Sequence, residues 1–222
     1  MKLYTYFRSS AAYRVRIGLN LKGLTAEHVP VHLVNNGGEQ HSESYRQINP
    51  SELVPTWAEQ DFVLTQSLSI LEYLEEKFPD MALLPQDLQQ RALIRAFSLS
   101  IACDIHPLNN LRVLQYLTGT FEISDEQKTA WYKHWVLTGF KALEAQLEQS
   151  NGKFCFGNQP TLADCCLIPQ VYNALRFNLD LSDYPKICSI YTHCNSLEAF
   201  QHAAPEMQPE ACLLYTSDAA DE

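Results

Sequence analysis

Two hydrophobic periods alternate along the first part of the chain. Residues 2–7 alternate and are rich in Tyr, Leu and Phe, as a short half-buried strand requires. Ser9-Ser10 then offers hydroxyls that can cap a helix over residues 11–22. There Tyr13, Ile17 and Leu21 recur every four residues, and Val15 and Leu19 add to the buried side. Gly23 stands where a helix-terminating glycine belongs. Residues 27–33 read as a second strand, and Asn35-Asn36-Gly37-Gly38 as a loop. A short polar helix over 42–47 leads to an Asn49-Pro50 turn. Strands at 56–58 and 62–64 then face each other across a Gln60-Asp61 turn. Gln66-Ser67 opens a helix that runs to Lys77 and is stopped by Pro79.

The order βαβ, small helix, ββ, α is that of a compact α/β domain over residues 1–79. Residues 80–87, flanked by prolines, read as a linker, after which strand signals give way to helical periodicity. Helices are expected over 88–117, interrupted by Pro107 within a polar stretch over 104–112, and over 125–149, the second opened by a Ser124/Gln127 capping box. Thr161 with Asp164 opens another through Leu175, and Asp183 is expected to cap a last helix with Tyr184 and Pro185 in its first turn. Residues 88–212 therefore form an all-helical domain. Residues 213–222, Leu-Leu-Tyr-Thr-Ser-Asp-Ala-Ala-Asp-Glu, lack any amphipathic pattern and read as a non-native or disordered tail.

Composition narrows the function classes. The chain has 222 residues, 46% hydrophobic and 19% charged, a globular composition. A net charge of −10 disfavours nucleic acid, whose phosphates need clustered Lys and Arg. No apolar run approaches the ~20 residues of a membrane-spanning helix. The start turns polar by Arg8 without the apolar core of a signal peptide, so a cytoplasmic location is expected. Seven cysteines, with no Cys-x-x-Cys pair, suit reduced and mostly buried thiols. Cys103 with His106 is the only pair suggestive of a metal, nothing downstream completes it, and no metal is expected.

The two-part pattern resembles the cytosolic glutathione transferases, and the residues narrow the resemblance to the zeta class. Its signature is Ser9-Ser10-Ala11-Ala12-Tyr13-Arg14-Val15-Arg16-Ile17-Gly18-Leu19. Asn49-Pro50, Val54-Pro55-Thr56, Gln66-Ser67 and Glu72-Tyr73-Leu74-Glu75 also match. So do Thr161-Leu162-Ala163-Asp164, Pro169-Gln170-Val171, Arg176-Phe177 and Tyr184-Pro185. The resemblance extends over residues 1–210. It implies a thioredoxin-like α/β N-terminal domain that binds glutathione, an all-α C-terminal domain that binds substrate, and a homodimer.

The expected chemistry starts at Ser9 and Ser10. A hydroxyl at a helix start can hydrogen-bond a thiolate, and the positive end of the helix dipole stabilises the anion further. The same hydroxyls can equally serve only as helix caps. The family often carries a cysteine after the serine pair. Ala11 stands there, which removes a covalent role for a cysteine at that point and leaves the serines intact. Val54-Pro55 resembles the cis-proline of thioredoxin-like domains, whose preceding residue pairs with extended glutathione. An ordinary trans turn is the plainer reading of the dipeptide alone. Gln66 and Ser67, at a helix N-terminus, suit the γ-glutamyl carboxylate. Gln40, His106 and Asn110 are further glutathione contacts implied by the resemblance.

The family's substrates are cis-enedioic acids, so cationic substrate contacts are expected at Arg8, Arg112 and Arg176. Arg14 and Arg16 read instead as surface or salt-bridge residues. The implied activity is glutathione-dependent isomerisation of 4-maleylacetoacetate to 4-fumarylacetoacetate, a step of tyrosine and phenylalanine breakdown. Alternatives are the shorter diacid maleylpyruvate, a general transferase acting on α-haloacids, and a non-catalytic binding module. The joint presence of Ser9, Ser10, Gln66, Ser67 and Arg176 argues against the last.

Overall fold

The computed structural model describes residues 1–211; Cys212 and the tail expected at 213–222 lie outside the described residues. Two compact units are present. One comprises Met1–Leu83 together with the chain from Asn195, and the other Leu84–Cys194.

The first unit is built on a four-stranded mixed sheet in the order β2-β1-β3-β4. Its strands are β1 (Lys2–Thr5), β2 (Glu27–Pro30), β3 (Thr56–Glu59) and β4 (Phe62–Thr65). β1 runs parallel to β2 and antiparallel to β3, and β3 antiparallel to β4. β2 is shorter than its apolar pattern suggests. It ends at Pro30, although the Val31 N–H still reaches the Thr5 carbonyl at 2.8 Å. Three helices complete the expected order: α1 (Ser10–Leu21), α2 (Glu43–Ile48) and α3 (Ser67–Lys77). This is the thioredoxin-like arrangement.

α1 departs most from its sequence pattern. Tyr13, Val15, Ile17 and Leu19 are buried as the periodicity requires, but so are Arg14 and Arg16, at 2% and 1% exposure. The reading of these arginines as surface residues is therefore corrected. α1 packs on α3 on one side and on a short late helix, α9 (Glu198–Gln201), on another, so few of its faces meet water. The approach to α3 is close: a Cβ at Gly18 would lie 2.2 Å from Leu71 Cδ2. Lys22, at the end of α1, is buried against Glu75 at 2.7 Å and also donates to the Phe78 carbonyl at 2.8 Å.

Because α9 and the turns after it pack against α1, the division of the chain differs from the one expected. Residues 195–211 belong with the N-terminal unit rather than with a helical domain over 88–212. The cause is specific bonding: Asn20 Nδ2 donates to the Ala199 carbonyl and Arg16 Nε to that of Ala203, while Phe200 is fully buried.

The second unit is helical. It contains α4 (Leu88–Leu99), α5 (Leu111–Thr120), α6 (Asp125–Leu147), α7 (Leu162–Arg176) and α8 (Pro185–Cys194). The first expected helix is interrupted around Pro107, as its sequence implies. A π-helical segment, Ser100–Ile105, and a 3-10 turn, His106–Asn109, separate α4 from α5, because Pro107 has no N–H to continue the ladder. Both capping boxes form as expected, Ser124 with Gln127 and Thr161 with Asp164. At α8 the first-turn N–H groups of Lys186 and Ile187 are taken by the Glu144 carboxylate of α6, at 2.7 and 2.9 Å, where Asp183 was expected to act. Phe97, Phe140, Leu143, Cys165, Leu167, Ile168 and Ile187 form the core. No helix among the described residues is long and apolar enough to cross a membrane.

Candidate functional site

The register of the sheet gathers the N-terminal candidates at one edge. Tyr4 pairs with Thr56 and Thr56 with Thr65, so the end of β1, the start of β3 and the end of β4 lie side by side. Ser9 and Ser10 follow β1, Val54 and Pro55 precede β3, and Gln66 and Ser67 follow β4. Sheet topology thus brings three separate stretches of sequence to one place.

The β1–α1 loop turns on a bond from the Ser9 N–H to the Tyr6 carbonyl at 2.9 Å. Ser9 is the N-cap of α1, its Oγ accepting from the Ala12 N–H at 3.2 Å. That bond uses a lone pair and leaves the hydroxyl proton uncommitted, so capping and donation to a thiolate are compatible. Ser10 is the first residue of the helix and is 4% exposed. Arg8 is exposed, its guanidinium 5.0 Å from the centre of the Phe7 ring. Arg16 lies beneath the same loop. Its Nη2 donates to the Phe7 carbonyl at 2.9 Å, and its Nη1 to Thr5 Oγ1 at 3.1 Å and to the Tyr6 carbonyl at 3.4 Å.

The Val54–Pro55 peptide bond is cis, which settles the reading left open by the dipeptide. Among the described residues no partner takes up the N–H or C=O of Val54. Both groups are therefore suited to an extended peptide ligand. The loop is braced from behind. Tyr45 Oη and Asn49 Nδ2 both donate to the Leu53 carbonyl, at 2.6 and 2.7 Å, and both also contact Thr56 Oγ1, at 2.9 and 3.0 Å.

Gln66 is exposed and holds a φ of 71°, a left-handed conformation uncommon outside glycine. Its side chain makes no cap bond. Ser67 is buried, and its Oγ accepts from Arg14 Nη1 at 3.3 Å, so the second buried arginine ties α1 to the start of α3. Gln40 turns inward within a 3-10 turn, Glu39–His41, its Nε2 3.0 Å from His41 Nε2 and 3.4 Å from the Leu33 carbonyl.

The remaining candidates belong to the second unit. Asn110 caps α5 by accepting the Arg112 N–H at 3.2 Å, and its Nδ2 lies 3.4 Å from His106 Nε2. His106 and Asn110 are thus brought together, while the Arg112 side chain is exposed. Arg176 ends α7, exposed, with its guanidinium 5.1 Å from the Phe177 ring. Phe177 stacks on buried Tyr132 at 3.9 Å and 18°, which gives the arginine a rigid platform. Burial pushes the Tyr132 phenol well up, and the Arg176 charge pulls it back in part.

Cys155, Cys165, Cys166 and Cys194 are buried, and none of them is in a disulfide. Burial raises the thiols of Cys155, Cys165 and Cys194 well above the ordinary range, the opposite of what a nucleophilic thiolate needs. Among the described residues no group of three or more His, Cys, Asp or Glu is placed to hold a metal ion.

Arg14, Arg16, Tyr45 and Asn49 are the residues that a reading by motif did not assign. Asn49 carried a signal in its Asn-Pro dipeptide, and Arg14 and Arg16 in the signature that contains them, whose role the helical period alone did not explain; Tyr45 carried none.

Comparison with known proteins agrees with this fold. The family model for the glutathione S-transferase N-terminal domain matches residues 3–82, and that for the C-terminal domain matches residues 129–194. A probable maleylacetoacetate isomerase of Vibrio cholerae is 51% identical over 210 residues, covering 95% of this chain and 98% of that protein. The holo structure of a bacterial zeta-class maleylpyruvate isomerase superposes with a TM-score of 0.91 at 44% identity, covering 94% of this chain and 99% of the other. A maleylacetoacetate isomerase from Methylobacterium extorquens, solved with malonate and glutathione bound, gives a TM-score of 0.90 at 38% identity over 95% and 99% of the two chains.

Proposed function

The chain belongs to the glutathione S-transferase family, in its zeta class, and we propose that it isomerises 4-maleylacetoacetate to 4-fumarylacetoacetate with glutathione as cofactor. The observation that carries this reading is the start of α1. Ser9 caps the helix through a lone pair and keeps its hydroxyl proton available, beside a Val54 whose backbone groups have no partner among the described residues.

Bound glutathione supplies the thiolate that adds to the activated double bond, permits rotation and leaves again. Ser9 and Ser10 face its sulfur, where a hydroxyl donor and the positive end of α1 favour the anion. Val54, before cis-Pro55, pairs with the peptide backbone, Gln66 and Ser67 receive the γ-glutamyl carboxylate, and Gln40, His106 and Asn110 make further contacts. Arg8 and Arg176 bind the carboxylates of the diacid, with Arg112 as a third cation, and stabilise the negative charge that develops on the substrate. No thiol of the chain is needed, in keeping with Ala11 after the serines and with the raised, buried cysteines.

The enzyme acts in the cytoplasm as a homodimer, in tyrosine and phenylalanine breakdown. Pairing is supported by the exposed leucines of α4, among which Leu88 is 80% exposed. A second reading, isomerisation of maleylpyruvate, is supported by the extra cation at Arg112, which suits a more compact diacid, and by the likeness to the zeta-class maleylpyruvate isomerase.

The test is turnover of maleylacetoacetate and of maleylpyruvate by dialysed protein, with and without glutathione. Loss of the cis diacid only when glutathione is present is expected, faster with maleylacetoacetate. Equal rates without glutathione would overturn the borrowed thiolate. Conjugation of α-haloacids with no isomerisation of either diacid would make the protein a general transferase.

A further inference from the structure

Arg16 is one of the most deeply buried polar side chains in the protein, and nothing in the proposed chemistry uses it. Four of its bonds are defined. Three go to Thr5 Oγ1 and the carbonyls of Tyr6 and Phe7, the stretch that delivers the chain to Arg8 and Ser9. The fourth, from Nε, goes to the Ala203 carbonyl at 3.0 Å, across 187 residues of sequence. A planar guanidinium with donors in a fixed fork imposes direction on each acceptor, which a flexible ammonium does not.

The consequences for the loop follow from peptide geometry. A carbonyl held inward fixes the plane of its peptide, and hence the direction of the next N–H. Phe7 and Tyr6 are so held, and the Tyr6 carbonyl also receives the Ser9 N–H. Arg16 therefore constrains the backbone that leads into Ser9, and its own Nε is held from the far side by the Ala203 carbonyl. That far side is itself rigid. Gln208 is buried and its Nε2 donates to the carbonyls of His202 and Ala204, at 2.9 and 3.0 Å, closing the turn on either side of Ala203.

We propose that Arg16 is a positioning residue for the thiol-activating start of α1, anchored from its far side by the bond to the Ala203 carbonyl. The proposal rests on the assignment of Ser9 and Ser10 to the glutathione sulfur. The guanidinium also lends a fixed positive charge beneath the helix start. Its titratable neighbours include His28 on β2, where desolvation and then the Arg16 charge lower the imidazole pKa while Glu210 raises it.

The test compares Arg16→Lys, which keeps the charge and loses the fork, with Thr5→Val, which removes one acceptor, and Asn20→Ala, which removes the other tie to the C-terminal stretch without touching the loop. Three quantities are read: amide hydrogen exchange at residues 7–12 without glutathione, the pH titration of bound glutathione thiolate by ultraviolet difference absorbance, and steady-state kinetics. Arg16→Lys is expected to speed exchange at residues 7–12 but not in α3. It should raise the pKa of the bound thiol by about one unit and lower kcat about tenfold at neutral pH, through the smaller thiolate fraction. KM for the diacid should stay within about twofold, because the groups that contact the substrate are unchanged. Thr5→Val should move the same quantities in the same direction by about threefold, in line with one lost hydrogen bond, so the proposal stays testable if Arg16→Lys does not fold. Asn20→Ala should lower the melting temperature and leave kcat as in the parent.

Parent-like exchange and parent-like kcat in folded Arg16→Lys, or in Thr5→Val should Arg16→Lys not fold, would overturn the proposal. So would an equal loss of kcat in Asn20→Ala, which would reduce the effect to general stability. Failure of the isomerase reading shows separately, as absence of glutathione-dependent turnover in the parent, and the exchange experiment is independent of it.

Discussion

Helices α1 and α7 begin in nearly the same way, with a hydroxyl residue whose Oγ accepts a main-chain N–H two or three residues on. Ser9 receives the Ala12 N–H and Thr161 that of Ala163, at 3.2 and 3.3 Å. Their surroundings differ. The Thr161 hydroxyl donates a hydrogen bond to Asp164 at 2.9 Å, and the same carboxylate accepts from the N–H groups of Thr161 and Cys155, at 2.7 and 2.8 Å. Every donor there has a partner inside the fold, and Asp164 is completely buried. Ser9 has no acid three residues on; Ala12 stands at that position, and the hydroxyl proton is left to a ligand. One cap chemistry is thus closed by a carboxylate at α7 and left open at α1, where the proposed function sets the glutathione sulfur.

Removing the closing carboxylate is the largest perturbation. Asp164→Ala strands the N–H groups of Cys155 and Thr161 and the Thr161 hydroxyl in a dry environment. A loss of about 3 kcal/mol is expected from several buried bonds at once. Urea unfolding measures it, and kcat per folded molecule should match the parent. A loss below about 1 kcal/mol would mean that the closed cap at α7 is no stronger than an ordinary one.

Placing an acid at the open cap is the reciprocal change. Asp caps a helix about as well as Ser, so Ser9→Asp should keep the melting temperature of the parent. It removes the hydroxyl donor and sets a negative charge where the thiolate forms. If the bound thiol rises by about two units as a result, kcat at neutral pH falls about a hundredfold. Stopped-flow and steady-state rates across pH read this directly, and the lost activity should return in part at high pH. Parent-like turnover at neutral pH would show that Ser9 is only a cap.

Both helix starts are legible as helix starts, because cap chemistry is local: Ser9-Ser10 and Thr161/Asp164, like Ser124/Gln127 at α6, declare themselves within four residues. The α/β unit was legible for a similar reason, since strand alternation and the Gln60-Asp61 turn are short-range signals. What escaped depends on distant partners. Burial of Arg16 is decided by Ala203 and by packing of α9, and the cap of α8 comes from Glu144, 42 residues before the Lys186 N–H whose bond it accepts. Pattern within one element says which side is apolar; it does not say how many neighbours close over the other side. Arg14 and Arg16 therefore read as surface or salt-bridge residues, and residues 195–211 as part of the helical domain by helical periodicity. At the candidate site, motif resemblance pointed to Ser9, Val54 and Ser67. The bracing by Arg16, Tyr45 and Asn49 came only from the fold.

The smallest change sharpens the comparison most, because it alters no hydrogen-bonding group. Thr161→Ser and Ser9→Thr exchange the two hydroxyl residues. Each retains an Oγ that can accept the same N–H, so each cap should survive within about 0.5 kcal/mol, less one buried methyl at position 161. At α7 nothing else is expected to change, since the Ser hydroxyl can still donate to Asp164. At α1 the added methyl restricts χ1 and occupies space beside the hydroxyl, which must now satisfy the Ala12 N–H and an incoming sulfur from fewer rotamers. kcat/KM should fall about threefold to tenfold in Ser9→Thr and stay at the parent value in Thr161→Ser, as expected for an off-rotamer cost of about 1 kcal/mol. Equal kinetics in the two variants would mean that the open hydroxyl at α1 is not aimed at a ligand, since only a hydroxyl that must point outward is sensitive to its own methyl group.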